Sequence, residues 1–239
     1  MTKLNELRKL IIEKKSDMVT TRELSGLGYD KAWLKYALKT LVDEKLLYRL
    51  KNGYYSKVNP DSMDPLKAAN ALFGGYIGLL SAAYLYGWQD EYQYTIFLLT
   101  QKSSGRFRIG RHEIKVIAAG RRFEGSCHYN GGLTVSTKAK TLFDLLHYIN
   151  FLGFDAVIKC LENTKISGKE WNEFINYCLK FGTKSFMQKS GYLLEKFSRS
   201  HGELEKLIPK KPVVAKLGNE KKCLFNKRWM VYDCLGDVR

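Results

Sequence analysis

The first 45 residues show three blocks of apolar positions with the period of an α-helix. Residues 3–15 carry apolar side chains every three or four positions, which predicts an amphipathic helix. The second block begins with Thr20-Thr21-Arg22-Glu23, a capping-box pattern in which the hydroxyl and the carboxylate each accept a backbone N–H. It ends near Gly26-Leu27-Gly28, and Asp30 can then cap a third helix with apolar positions at i, i+3, i+4 and i+7.

Two β-rich runs follow the third predicted helix. Residues 46–50 and 54–58 flank Lys51-Asn52-Gly53, and Asn-Gly is the strongest short signal for a β-hairpin. Three short helices and a hairpin are the element order of a winged helix-turn-helix. Any small helical unit can carry a hairpin, but helix order, helix lengths and hairpin position together favour the winged helix.

A linker is predicted at Asn59–Pro65, which holds two of the four prolines of the chain. We therefore expect a DNA-binding domain at residues 1–62 and a second domain at 63–239. The whole chain is predicted to be α+β, with a mixed α/β second domain whose C-terminal part is largely helical. Helices are predicted at 65–73, 79–86, 137–150, 151–163, 168–180 and 184–200, and strands at 94–100, 106–109, 113–119, 133–136, 213–217 and 223–233.

One apolar stretch raises the question of a membrane span. Residues 68–89 are 22 residues without a charge, which is long enough to cross a bilayer. Gly74-Gly75 interrupts the run, however, and Asp64-Pro65 provides a helix cap and first turn just before it. We predict two buried helices separated by a Gly-Gly break, and no membrane partner.

The net charge of the chain indicates which classes of partner it binds. The 239 residues include 40 Lys and Arg against 24 Asp and Glu, a net charge of +16, while 45% hydrophobic residues are enough to build a core. A chain with so large a positive charge usually binds a polyanion. Nucleic acid is the first candidate partner and a membrane surface is the second. Residues 1–62 hold 13 basic and 8 acidic residues, and residues 63–239 hold 27 and 16.

The third helix and the hairpin supply the candidate contacts to double-stranded DNA. Lys31, Lys35 and Lys39 follow one another at i, i+4 and form a row on one helix face. A helix of this kind fits the major groove while the wing follows the backbone. Each lysine taken singly could equally be a solvated surface residue. The predicted contacts are Thr21, Arg22, Lys31, Lys35, Tyr36, Lys39, Arg49, Lys51 and Asn52.

Further basic residues lie beyond the linker. They either form a second surface for DNA or a partner, or simply keep the protein soluble, and the sequence does not decide between the two. The candidates are Arg106, Arg108, Arg111, Arg121, Arg122, Lys210, Lys211, Lys221, Lys222, Lys227 and Arg228.

Enzyme signals are few. Glu113-Ile114-Lys115, preceded by Asp90, has the outline of an E-x-K nuclease site, in which carboxylates hold a metal ion. The tripeptide is common by chance, and we predict a structural strand. Cys127-His128 has no second pair at zinc-ligand spacing. We assign no catalytic residue, metal site or cofactor.

The five cysteines are spaced at eleven residues or more and form no C-x-x-C pair. We therefore expect no disulfide framework, as in a protein of the reducing cytoplasm.

The order of segments resembles the AbiEi family of antitoxins, from type IV toxin-antitoxin and abortive-infection systems. The resemblance covers most of the chain through soft patterns of apolar and small residues. These are RLKNGYYSKV (49–58), YIGLLSAAYLYGW (76–88), YTIFLLT (94–100), LTVSTKAKTLFDLLHY (133–148), SGYLLEKFSRSH (190–201) and NKRWMVYD (226–233).

The resemblance implies a transcriptional autorepressor whose winged helix binds operator DNA upstream of its own operon. It also implies a second domain that counters a nucleotidyltransferase-type toxin, and leaves open whether the two proteins touch. The family's wing is commonly arginine-rich, whereas this chain has Lys51-Asn52, which argues against insertion of an arginine into the minor groove. The matching positions of the second domain are Gly78, Ser81, Ala82, Leu85, Gly87, Thr141, Leu142 and Asp144, to which we assign packing or hydrogen-bonding roles. The alternative is a metal-dependent nuclease that the winged helix directs to DNA.

Overall fold

The computed structural model describes residues 2–91, 94–198 and 204–236 and has the predicted α+β fold. The N-terminal part consists of three helices and a small antiparallel sheet with strand order β1-β3-β2. Strand β1 is three residues long and was not predicted. The elements are α1 (Lys3–Glu13), β1 (Met18–Thr20), α2 (Thr21–Gly26), α3 (Lys31–Asp43), β2 (Tyr48–Lys51) and β3 (Tyr54–Ser56).

Local hydrogen bonds explain where these helices begin. Thr20 and Glu23 form the predicted capping box, since Thr20 Oγ1 accepts the Glu23 N–H and the Glu23 carboxylate accepts the Thr20 N–H. Asp30 caps α3 by accepting the Trp33 N–H. The apolar faces of the three helices meet in a core that includes Leu7, Leu34, Leu38 and Leu41.

The middle of the chain builds a six-stranded mixed sheet of order β6-β7-β5-β4-β9-β8. Strand β5 pairs in parallel with β7, and β4 pairs in parallel with β9. The elements are α4 (Pro65–Phe73), β4 (Tyr76–Ile77), α5 (Leu79–Leu85), β5 (Thr95–Thr100), β6 (Gly105–Ile109), β7 (His112–Ala118), β8 (Ser126–Tyr129) and β9 (Leu133–Ser136).

The uncharged stretch at 68–89 forms two helices, as predicted. Helix α4 ends at Gly74, whose φ of 61° lies in the left-handed region that glycine adopts most easily. Strand β4 then separates α4 from α5, and Gly78 passes so close to Leu99 that a Cβ on it would overlap that side chain. Within the described residues, every helix is too short or too polar to cross a membrane.

The remaining helices pack on this sheet and on one another, and a second small sheet closes the chain. They are α6 (Lys138–His147), α7 (Ile149–Leu152), α8 (Phe154–Glu162), α9 (Gly168–Phe181) and α10 (Lys184–Phe197), followed by β10 (Ala215–Gly218), β11 (Leu224–Asn226) and β12 (Val231–Cys234) in the order β10-β12-β11. The predicted strand at 223–233 is two strands, because residues 227–230 form a turn. Residues 199 and 200 of the predicted helix 184–200 lie outside the described residues.

The structure has one disulfide that the spacing of the cysteines did not predict. Cys223 and Cys234 are joined, with their Cα atoms 4.3 Å apart. The antiparallel register of β11 and β12 pairs Leu224 with Asp233, so the next residues outward, Cys223 and Cys234, face each other. Their separation of eleven residues is therefore the span of one hairpin.

The hairpin of β2 and β3 packs against the second part of the chain. Leu50 and Tyr54 contact the apolar cluster that includes Ile96 and Leu98 of β5. The domain boundary at residue 62 stays a prediction. It states that residues 1–62 and 63–239 each fold and function alone.

Candidate nucleic-acid interface

A basic groove lies between α3 and the hairpin. Its volume is about 330 Å³, and α2 contributes one residue to its wall. Six of the nine predicted DNA contacts line it, together with Leu38, Val42 and Tyr55. These six, the groove residues, are Thr21, Lys31, Lys35, Lys39, Arg49 and Asn52.

Helix α3 presents its lysines because its opposite face is buried. Leu34, Leu38 and Leu41 are at most 1% exposed, whereas the lysine row at 31, 35 and 39 is exposed along its length. The spacing of four residues brings successive lysines to nearly the same side of the helix. The helix therefore holds three ammonium groups on the side that faces the groove.

Hydrogen bonds connect the other wall of the groove to α2. The Thr21 N–H donates to the Gly53 carbonyl at 2.9 Å, which joins the first residue of α2 to the hairpin turn. Gly53 has a φ of 75°, a left-handed conformation that suits glycine in a tight turn. Across the same turn, Arg49 Nη2 donates to Asn52 Oδ1 at 3.3 Å. The start of α2 and the hairpin thus form one connected surface.

The cations of the groove are not neutralised from within the described part of the chain. None of the ion pairs there involves the three lysines or Arg49. Near α1 the situation differs, because Arg8 pairs with Glu44 at 2.7 Å and Lys14 pairs with Glu23 at 2.9 Å. The groove therefore carries positive charge without a paired carboxylate in the described residues, and such charge attracts a phosphate backbone.

Three of the nine predicted contacts do not line the groove. Arg22 and Tyr36 are exposed beside it, with Tyr36 66% exposed. The ammonium of Lys51 donates to the Leu72 carbonyl at the end of α4 and lies 4.3 Å from the ring centres of Tyr54 and Phe73. Burial lowers the pKa of Lys51. Lys51 therefore joins the hairpin to the second part of the chain.

The chain matches no protein-family model and no curated protein. The interpretation of the groove therefore depends on its geometry and charge.

The second set of predicted basic residues does not form one surface element. Arg106, Arg108 and Arg111 lie on the β6–β7 hairpin, Arg121 and Arg122 lie in the turn after β7, and the others lie near the C-terminal sheet. Two of them make contacts within the chain. Arg122 donates to Tyr148 Oη at 3.3 Å, and Arg228 pairs with Glu195 and with Glu205.

The E-x-K residues lie on a strand, as predicted. Glu113 and Lys115 are on β7, where burial alternates from residue to residue. Glu113 accepts a hydrogen bond from Thr95 at 3.4 Å and lies 3.7 Å from Lys115 Nζ. Among the residues the structure describes, no group of three or more His, Cys, Asp or Glu side chains could hold a metal ion.

Asp144 of α6 hydrogen-bonds within the chain, as predicted, and its partner is a buried lysine that was not predicted. Lys140 Nζ lies 2.5 Å from Asp144 Oδ1, and both side chains are fully buried. Burial raises the pKa of Asp144 to about 6 and lowers that of Lys140. The i, i+4 spacing of a lysine and an aspartate was visible in the sequence, but such pairs usually lie on solvated faces.

Proposed function

We propose that this protein is a DNA-binding regulator whose residues 1–62 form a winged helix-turn-helix. The observation that carries the proposal is the groove between α3 and the hairpin, lined by Lys31, Lys35, Lys39 and Arg49 without a partner carboxylate in the described residues. In this proposal α3 enters the major groove of operator DNA and the hairpin lies along the backbone.

The residue types assign different tasks to the two walls of the groove. Lysine is a point charge on a flexible stem, so the lysine row supplies affinity and salt dependence with little sequence preference. Arg49 and Asn52 have planar groups that can hydrogen-bond to base edges or phosphates in a defined geometry. Sequence preference should therefore depend more on the hairpin and on the exposed Tyr36 than on the lysines.

We further propose that the protein is an antitoxin that represses its own operon in the cytoplasm and counters a nucleotidyltransferase-type toxin. This part of the proposal rests on the resemblance of the chain to AbiEi antitoxins. Its test is co-expression with a nucleotidyltransferase encoded beside this gene. Restored growth supports the proposal, and continued toxicity with the antitoxin well expressed contradicts it.

The alternative function is a metal-dependent nuclease built around Glu113. The observation in its favour is that Glu113 and Lys115 lie close together on the partly exposed face of β7. Plasmid cleavage that requires Mg²⁺ and is lost in Glu113→Ala would support the nuclease. We expect no such cleavage, and we expect Glu113→Ala to retain DNA binding and antitoxin activity.

DNA binding is tested by the salt dependence of duplex affinity, measured by fluorescence anisotropy on operator DNA. Each phosphate contact contributes a slope of about −0.9 in log K against log salt, so Lys35→Ala with Lys39→Ala should flatten the slope by about one to two units. The matched control is Lys9→Ala with Lys15→Ala, which removes the same charge from exposed positions on and just after α1. The control should change the slope much less.

Lys51→Ala tests whether the salt dependence of DNA binding comes from the groove residues alone or also from other basic residues of the wing. Because the Lys51 ammonium is bound to the Leu72 carbonyl, this variant should leave the slope near that of the parent. An unchanged slope in the Lys35 and Lys39 double variant would instead move the DNA contact away from α3.

A further inference from the structure

The C-terminal sheet has an open face with a row of three aligned side chains. The register pairs Lys216 of β10 with Tyr232 of β12, and Tyr232 with Phe225 of β11. All three side chains are exposed, with Phe225 45% and Tyr232 42% exposed. The alternate positions on β10 and β12, including Leu217 and Val231, are buried. The row therefore lies on the side of the sheet that points away from the core.

The two rings of the row form a continuous aromatic surface. The ring centres of Phe225 and Tyr232 are 4.7 Å apart, and the ring planes are tilted by 43°. The adjacent residue of the strand, Leu224, points to the opposite face of the sheet and is 80% exposed. Exposed aromatic side chains in contact on a sheet face are unusual for a surface that has only to be soluble, because burial of a ring is strongly favourable.

Exposed lysines flank the strand that carries Phe225 and complete the row across the sheet. Lys221 and Lys222 precede the edge strand β11 and Lys227 follows it, while Lys216 completes the row across the sheet. None of these four lysines takes part in an ion pair among the described residues. From residue 215 to residue 232 the sequence holds five basic residues and one carboxylate, Glu220. Arg228 is the basic residue that faces carboxylates, namely those of Glu195 and Glu205.

The edge strand that carries Phe225 is held in place covalently. The Cys223–Cys234 disulfide joins the residue before β11 to the last residue of β12. After β11, Trp229 is fully buried, and its backbone N–H donates to Asn226 Oδ1 at 3.0 Å. The position of Phe225 beside Tyr232 is thus fixed from both ends of the strand.

We propose that this face binds single-stranded nucleic acid, with unpaired bases stacked on Phe225 and Tyr232 and phosphates contacting the four lysines. Every base has a π-face, so stacking on exposed rings suits unpaired bases of any sequence, while surrounding lysines attract the backbone. A duplex hides its base faces in the helix stack and could use only the lysines. An acidic protein segment is the competing occupant.

This proposal is independent of operator binding. The groove residues lie on α2, α3 and the hairpin, and the aromatic row lies on β10, β11 and β12. An experiment that contradicts one proposal therefore does not contradict the other.

The test uses the full chain and fluorescence anisotropy with labelled oligouridine, oligothymidine and a duplex of equal length. Phe225→Ala with Tyr232→Ala should weaken binding of the single strands about ten-fold or more, since stacking contributes to each bound base. Affinity for the duplex should change much less. The comparison of oligouridine with oligothymidine shows whether the natural ligand is RNA or DNA.

Two controls test whether the loss depends on the rings of this face. Leu224→Ala removes an exposed apolar side chain from the opposite face of the same strand and should retain binding within about two-fold. The exchange Phe225→Tyr with Tyr232→Phe keeps both rings and should also bind like the parent. Lys35→Ala with Lys39→Ala should weaken duplex binding and leave the single strands bound.

Far-ultraviolet circular dichroism shows whether the alanine double variant is folded. If it is unfolded, substitution of the lysines provides the test. Lys221→Ala with Lys222→Ala should flatten the salt slope for single strands by about one to two units. Single strands that fail to bind the parent overturn the proposal. So does unchanged binding in a folded ring-deleted variant, or equal losses for duplex and single strand.

Discussion

Gly191 of α10 lies directly against the indole ring of Trp229, so close that a Cβ on Gly191 would overlap the ring. Trp229 is fully buried in the turn between β11 and β12. Gln188, one turn before Gly191 on α10, donates to the Trp229 carbonyl at 2.6 Å, and the indole N–H donates to Glu195. A glycine on α10 therefore allows the helix and the C-terminal sheet to meet without a gap.

Gly191→Ala should lower the free energy of unfolding by about 1–3 kcal/mol, because a methyl group forced into a filled core displaces its neighbours. Urea denaturation measures the loss. Gly168→Ala is the matched control, since nothing lies within 4 Å of a Cβ at that position at the start of α9. It should leave stability unchanged or slightly higher. Equal losses in the two variants would contradict the packing argument.

The contact between Gly191 and Trp229 shows where sequence analysis stops. Both residues lie in segments that were recognised separately, at 190–201 and 226–233, yet no local pattern indicates that they touch. The capping box of Thr20 and Glu23 was predictable because its partners are three residues apart. Local hydrogen bonds can be inferred from spacing, whereas packing between distant segments cannot.

The candidate site shows the same contrast between features set by local spacing and features set by contacts between distant segments. The lysine row of α3 was predicted because helical spacing fixes its geometry. The hydrogen bond from the Lys51 ammonium to the Leu72 carbonyl was not predicted, because the two residues are far apart in the sequence and no local pattern joins them. The Cys223–Cys234 disulfide was missed because it depends on the register of β11 and β12, and hence on an unpredicted turn at residues 227–230.

Cys223→Ser should lower the free energy of unfolding by about 2–3 kcal/mol, the entropy that a cross-link of this short loop removes from the unfolded chain. Cys223 is the better position to change because Cys234 is fully buried. Chemical denaturation with and without a thiol reductant measures the effect. Reductant should bring the parent to the stability of the variant and leave the variant unchanged. A parent that is insensitive to reductant would show that the bond contributes nothing.

The stability of the protein should depend on pH through His147. Burial, helped by the positive charges of Arg122 and Lys140, lowers the pKa of His147 from 6.5 to about 4. The folded protein therefore binds fewer protons than the unfolded chain between these values, and this contribution to stability is lost as the pH falls from 6.5 to 4. The slope for one proton is at most about 1.4 kcal/mol per pH unit.

His147→Gln should remove this contribution. The ring of His147 stacks on Phe143 at 5.7 Å, so the variant loses some packing at every pH. The stability difference between parent and variant should nevertheless shrink as the pH is lowered from 7 to 4, as measured by urea denaturation at each pH. Asp144 titrates with the opposite sign in the same range and is present in both proteins. A difference that stays constant with pH would contradict the assignment to His147.

The buried pair of Lys140 and Asp144 leads to a prediction in which two changes cost less than one. Lys140→Met alone leaves the Asp144 carboxylate in the core without its cation, and its Oδ2 has no hydrogen-bond partner even in the parent. Loss of one member of a buried ion pair typically costs about 3–5 kcal/mol. The double variant Lys140→Met with Asp144→Leu removes both charges and should be closer to the parent than Lys140→Met alone.

The matched control is the exposed pair of Lys9 and Glu13 on α1, which has the same i, i+4 spacing at 3.9 Å but is 66% and 63% exposed. Lys9→Met should change stability by about 0–1 kcal/mol, because water solvates the remaining carboxylate. Urea denaturation of the four proteins at pH 7 measures all the terms. If Lys140→Met cost no more than Lys9→Met, the Asp144 carboxyl would have to be protonated or hydrated when alone. If the double variant lost as much as the single one, the pair would be retained for the packing of its side chains, and its charges would be incidental to stability.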